Sequence, residues 1–111
     1  MAPGRETGTR VAKLGLLVNS DRHLNHLIGI SRAALARGHE VLVFVMDAGT
    51  HLLPDPALQQ LAASQGVTLS LCDHSAKRIG VDIGALPPEV VRGSQLNNAM
   101  LNHQADRVIV L

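Results

Sequence analysis

The stretch "ARGHEVLVFVM", residues 36–46, decides the fold. Residues 41–46 form an unbroken apolar run rich in β-branched side chains, the pattern of a strand covered on both faces. Just before it, Gly38 sits where a helix hands over to a strand. A helix that feeds a doubly covered strand belongs to a parallel sheet with helical crossovers, so this strand is expected at the centre of the sheet.

The neighbouring segments repeat the alternation. "VAKLGLLV", residues 11–18, is a second apolar strand, and "NSD", 19–21, supplies a loop with Asp21 as the expected N-cap of a helix. From residue 22 to 37, Leu24, Leu27, Ile28, Ser31, Ala34 and Leu35 recur at steps of three and four, an amphipathic helix. After a loop over 47–55, residues 56–66 form a short helix with Pro56 at its start and Gly66 just past its end. "VTLSLC", 67–72, is a third strand, and residues 73–79 form a brief helix closed by Gly80. Residues 81–93, with Gly84, Pro87 and Pro88, read as loop with a short extended piece. Ser94 caps a helix over 95–104, and residues 105–111 form the last strand. The expected architecture is a three-layer α/β/α sandwich around a mainly parallel sheet of four to five strands. Residues 1–10 read as a flexible polar tail and 11–111 as a single domain.

Composition narrows the function. Of 111 residues 46% are hydrophobic and 17% charged, the balance of a globular chain. Phe44 is the only aromatic residue, so the core must come from Leu, Val, Ile and Ala, and no rings are present to stack bases. A net charge of +1 gives no field for nucleic acid, and no apolar run approaches the ~20 residues that span a bilayer. Neither a nucleic acid nor a membrane is expected as a partner. The single cysteine cannot close an internal disulfide, and a free thiol of this kind points to the reducing cytoplasm.

In open parallel sheets, ligands and catalytic groups gather at the carboxyl ends of the strands. That rim collects residues 19–21, 47–50 and 72–75. Cys72 stands there between a strand and a helix, where unsatisfied amides favour the thiolate. Lys77 and Arg78 follow within two turns, while Asp73 opposes them. By position alone Cys72 is either a buried space-filler or an activated nucleophile. His23, His26 and His74 stand near the same rim, where a neutral imidazole serves as a base toward a thiol, and Asn19 is a further rim polar group. No CxxC, HExxH or glycine-rich phosphate loop is present, so neither a metal nor a cofactor is called for. Asp47, Thr50 and His51 suit a loop and its caps. Asn97, Asn98 and Asn102 are poor helix formers within the 95–104 helix, which fits a helix that lines a cleft or a solvent-exposed one.

Taken together, the opening strand "KLGLLVNSD", "GHEVLVFVMDAGTHLL", the C-x7-G segment from Cys72 to Gly80, and the terminal "ADRVIVL" resemble the DsrE/DsrF/TusD sulfur-carrier family. The resemblance covers most of residues 12–111. It implies a sulfurtransferase that accepts sulfane sulfur as a persulfide, with Cys72 as the sulfur-accepting residue. It also implies a homo-oligomer, a trimer or hexamer, that exchanges sulfur with a small TusA-type carrier protein. His74, Asp73, His23 and Asn19 are supporting candidates on position alone. A non-catalytic assembly subunit of the same fold, with Cys72 buried, is the alternative.

Overall fold

The computed structural model describes residues 11–111. The tail expected over residues 1–10 lies outside them. In chain order the elements are β1 (Lys13–Val18), α1 (Leu24–Ala36), β2 (Glu40–Val45), a 3-10 helix (Asp47–Leu52), α2 (Pro56–Ala62), β3 (Val67–Cys72), α3 (Asp73–Ile79), β4 (Val90–Gly93), α4 (Gln95–Gln104) and β5 (Arg107–Val110). Five parallel strands form one sheet in the order β4-β3-β2-β1-β5. The apolar run that starts at Val41 therefore lies in the middle strand, as its two-sided burial requires.

Side chains alternate along each strand, and the two faces carry different cores. Val41, Val43 and Val45 join Leu16, Leu69 and Leu71 against Leu27 of α1, Leu58 and Leu61 of α2, and Ala76 of α3. Phe44, Cys72 and Leu101 form a smaller cluster on the opposite face, with Leu17, Leu42, Met46 and Ala105 packed against it. Leu101 comes from α4, so three helices cover one face and α4 covers the other. This uneven covering follows from the strand order. The first three crossovers step in one direction, and the connection from β4 to β5 must return across the whole sheet.

Several boundaries differ from the sequence reading. The N-cap position of α1 falls on His23, not Asp21, and no side chain caps it. Asp21 is exposed two residues earlier. The second helix stops at Ala62, because Ser64 N–H bonds the Leu61 carbonyl three residues back and tightens the last turn. Residues 81–93 end in the edge strand β4, which begins only after Pro87 and Pro88, as the missing amides demand. Gly80, at φ +89°, ends α3 in a conformation that a side chain disfavours.

Phe44 is fully buried and is the largest side chain of the smaller cluster. Phe44→Ala is expected to lower unfolding stability by about 3–5 kcal/mol, read from urea midpoints at constant slope.

Candidate functional site

Cys72 is the last residue of β3 and the N-cap residue of α3, at φ −84° and ψ 109°. The strand places it by parity. Leu69 and Leu71 point to the larger core, so Cys72 points to the α4 face, beside Phe44 and Leu101. Its residue exposure is 3%, and burial alone pushes the thiol up. Four donors act in the other direction: the Ser75 hydroxyl, the Ser75 N–H, the Gln95 side-chain amide and the His74 N–H. Together they outweigh burial and hold the thiol below its ordinary value.

Two of these donors are N–H groups of the first turn of α3, near the sulfur although the thiol makes no capping hydrogen bond. Ser75, almost fully buried, adds its hydroxyl from the same turn. Gln95 comes from the other side. In the β3–β4 ladder Gly93 stands opposite Cys72, so α4 starts beside the thiol. Ser94 caps α4 by accepting the Leu96 N–H, and Asn97 reaches back to accept the Ser94 N–H at 3.0 Å. Gly93 leaves the room for that capping box, since a Cβ there would collide with Asn97 Oδ1. Gln95 Nε2 then donates to Cys72 Sγ at 3.7 Å and to Met46 Sδ at 3.8 Å.

The other rim residues take different roles. Asp73 pairs with Lys77 at 3.0 Å and Asp47 with Arg78 at 3.0 Å, so both cations expected to favour the thiolate are already matched by acids. Asp47 holds a left-handed backbone, φ 47°, and its carbonyl accepts the buried Thr50 hydroxyl, which marks this segment as a structural turn. His74 gives the sulfur its backbone N–H, while its side chain belongs to an exposed residue. His23 packs edge-on against His26, ring centroids 5.6 Å apart, on the helix layer of the opposite sheet face. The expected convergence of His23, His26 and His74 on the thiol is thus not formed, because parity turns Cys72 away from α1. Asn19 is exposed at the end of β1, two strands from β3. Among the described residues no group of three or more His, Cys, Asp or Glu side chains could hold a metal ion.

Ser75, Gln95 and Met46 escaped the sequence reading. A serine three residues after a strand-end cysteine was a visible signal for the first. Nothing local announces Gln95 or Met46, which meet Cys72 only through strand pairing. An open cleft of about 430 Å³ lies elsewhere, between the 3-10 helix, α2 and the chain after α3, lined by His51, Gln59, Asp82 and Leu86. A narrower one of about 100 Å³ runs between α4 and the sheet, along Thr68 and Ser70 of the strand that ends in Cys72.

Comparison with known proteins agrees with this architecture. The model of the DsrE/DsrF-like family matches residues 13–111. Among solved structures, a protein of unknown function from Methanobacterium thermoautotrophicum, MTH1491, superposes with a TM-score of 0.72 at 18% identity, over 90% of this chain and 99% of that one. The ychN protein of E. coli superposes with a TM-score of 0.68 at 17% identity, over 92% of this chain and 100% of that one. At these identities the likeness is one of fold. No curated protein matches the chain.

Because the folded thiol titrates below its ordinary value, its thiolate fraction at any given pH is larger than that of a free cysteine. Alkylation of Cys72 by iodoacetamide is expected to reach half its limiting rate at a lower pH in the folded chain than in the urea-unfolded chain. Ser75→Ala removes one donor and should move that midpoint upward; rates are followed by intact mass across a pH series.

Proposed function

The chain belongs to the DsrE/DsrF-like family, and from that premise we propose that it is a sulfur carrier, a sulfurtransferase that works through a Cys72 persulfide. The observation that carries this reading is the place of Cys72 at the N-terminus of α3 with Gln95 Nε2 donating to its sulfur at 3.7 Å, in surroundings that lower the thiol against the effect of burial. In the loading step the Cys72 thiolate attacks a sulfane sulfur. A bond forms between Sγ and that sulfur, and the donor's S–S bond breaks with its electron pair leaving on the donor. In the discharge step a partner's thiolate attacks the terminal sulfur, and the electron pair of the broken bond returns to Cys72. The two steps need no net oxidant. With one cysteine in 111 residues, the chain cannot resolve its own persulfide into an internal disulfide, which suits carrying.

A small carrier protein of the TusA type is the proposed acceptor, and a trimer or hexamer of this chain the proposed assembly. Exposed apolar side chains support self-association: Leu96 and Met100 on α4 are 67% and 48% exposed, and Val91, Val108, Ile109 and Val110 lie open on the two edge strands. A thiol kept free for transfer suits the reducing cytoplasm. Among the described residues no helix is long and apolar enough to cross a membrane.

One observation favours a second reading. Cys72 is only 3% exposed, as expected of a non-catalytic assembly subunit with a buried thiol. Incubation with polysulfide separates the two. Wild type is expected to gain about 32 Da per sulfur in intact mass, lost again on reduction, while Cys72→Ser gains none. Equal uptake by both proteins, or slow native labelling of Cys72 by a bulky maleimide with no sulfur uptake, would favour the assembly subunit.

A further inference from the structure

The asparagines of α4 form a hydrogen-bonded chain that ends on the sulfur. Asn102 Nδ2 donates to Asn98 Oδ1 at 2.9 Å, Asn98 Nδ2 donates to Gln95 Oε1 at 3.2 Å, and Gln95 Nε2 donates to Cys72 Sγ. These residues stand at steps of three and four, on one stripe of the helix. A carboxamide whose oxygen accepts a donor is pinned with its NH2 pointing the other way, toward the two sulfurs. The same NH2 has a second hydrogen for Met46 Sδ. Gln95 is itself exposed, whereas Ser75 lies on the buried side of the thiol.

We propose that Gln95 is a catalytic residue of the sulfur-transfer site, an oriented donor on the solvent side of Cys72 that stabilises the thiolate both as attacking group and as leaving group. This rests on the sulfur-carrier reading for its purpose. During loading, the hydrogen bond holds the thiolate that attacks the sulfane sulfur. During discharge, the electron pair of the breaking S–S bond returns to Sγ, and the same hydrogen bond receives the charge that develops there. The second hydrogen of the same NH2, held by Met46 Sδ, keeps the amide beside Sγ through both steps. Asn98 is a positioning residue, since it acts only through the Gln95 oxygen.

The test is the pH profile of Cys72 alkylation by iodoacetamide in the full chain, with fold checked by circular dichroism. Titratable or charged residues on the elements around the thiol are Asp73, His74, Lys77 and Arg78 of α3, Asp47 and His51 of the 3-10 helix, Glu40 of β2, Arg92 of β4 and His103 of α4, and all are kept in every variant. Gln95→Leu keeps the bulk and removes the donor. Its rate at neutral pH is expected to fall roughly three- to tenfold, with the midpoint moved upward and the high-pH plateau not reduced. Asn98→Ala should move the midpoint in the same direction by about half as much or less. Glutathione should remove sulfur from loaded Gln95→Leu more slowly than from loaded wild type. A Gln95→Leu midpoint that overlays wild type, or a lowered plateau at an unchanged midpoint, overturns the proposal. Polysulfide uptake measured on the same samples separates the two ideas. If wild type takes up sulfur and the midpoint does not move, Gln95 loses its role and the carrier reading stands. If the midpoint moves but wild type takes up no sulfur, the amide still activates the thiol and the carrier reading falls.

Discussion

One helix has to close the second face of the sheet. β4 and β5 lie at opposite edges, four strand spacings apart, or about 19 Å at ~4.8 Å each. α4 has 10 residues and so spans only about 15 Å. There is no slack, and the helix must start as soon as β4 ends. Because β4 pairs with β3, that start falls beside the end of β3, where Cys72 stands. The length of one crossover thus brings Gln95 to the thiol and sets Leu101 on Phe44.

This arrangement balances two opposed effects on one sulfur. Burial among Phe44 and Leu101 disfavours charge, and the donors from α3 and α4 favour it. The nearby ionised side chains contribute little to the balance, because Lys77 is spent on Asp73 and Arg78 on Asp47. The thiol is therefore tuned by neutral, directional donors at short range. Such tuning is insensitive to salt, unlike activation by surface lysines or arginines.

The parallel-sheet rule puts Cys72 on the carboxyl-end rim of the sheet but does not say where along that rim it stands. The strand order reverses between β1 and β5, where Ser20 Oγ donates to the Leu111 carbonyl at 3.0 Å. Cys72 lies two strands from β1, at the end of β3, an inner strand next to the edge strand β4. The histidines illustrate the same limit. They lie near the thiol in a list of rim residues, yet His23 and His26 stand on the other side of a sheet that is one backbone thick.

By itself the sequence determined the alternation of strands and helices, the central place of the strand after Gly38, and the position of Cys72 at a strand-to-helix junction. Each of these is written in local pattern: two-sided apolar runs, Ser94 at a helix start, Gly80 at a helix end. It also carried the family through the order of those pieces. What only the tertiary structure decided is which groups meet the sulfur. The parity of β3 turned Cys72 toward α4 and away from His23, and the register of β3 with β4 brought Gln95 from 23 residues along the chain. The asparagines of α4, poor helix formers without a local reason, gained one as a cap and as a hydrogen-bonded stripe behind Gln95. Side-chain periodicity is a local property and can be read along the chain, whereas a hydrogen bond to a buried thiol depends on which strand pairs with which.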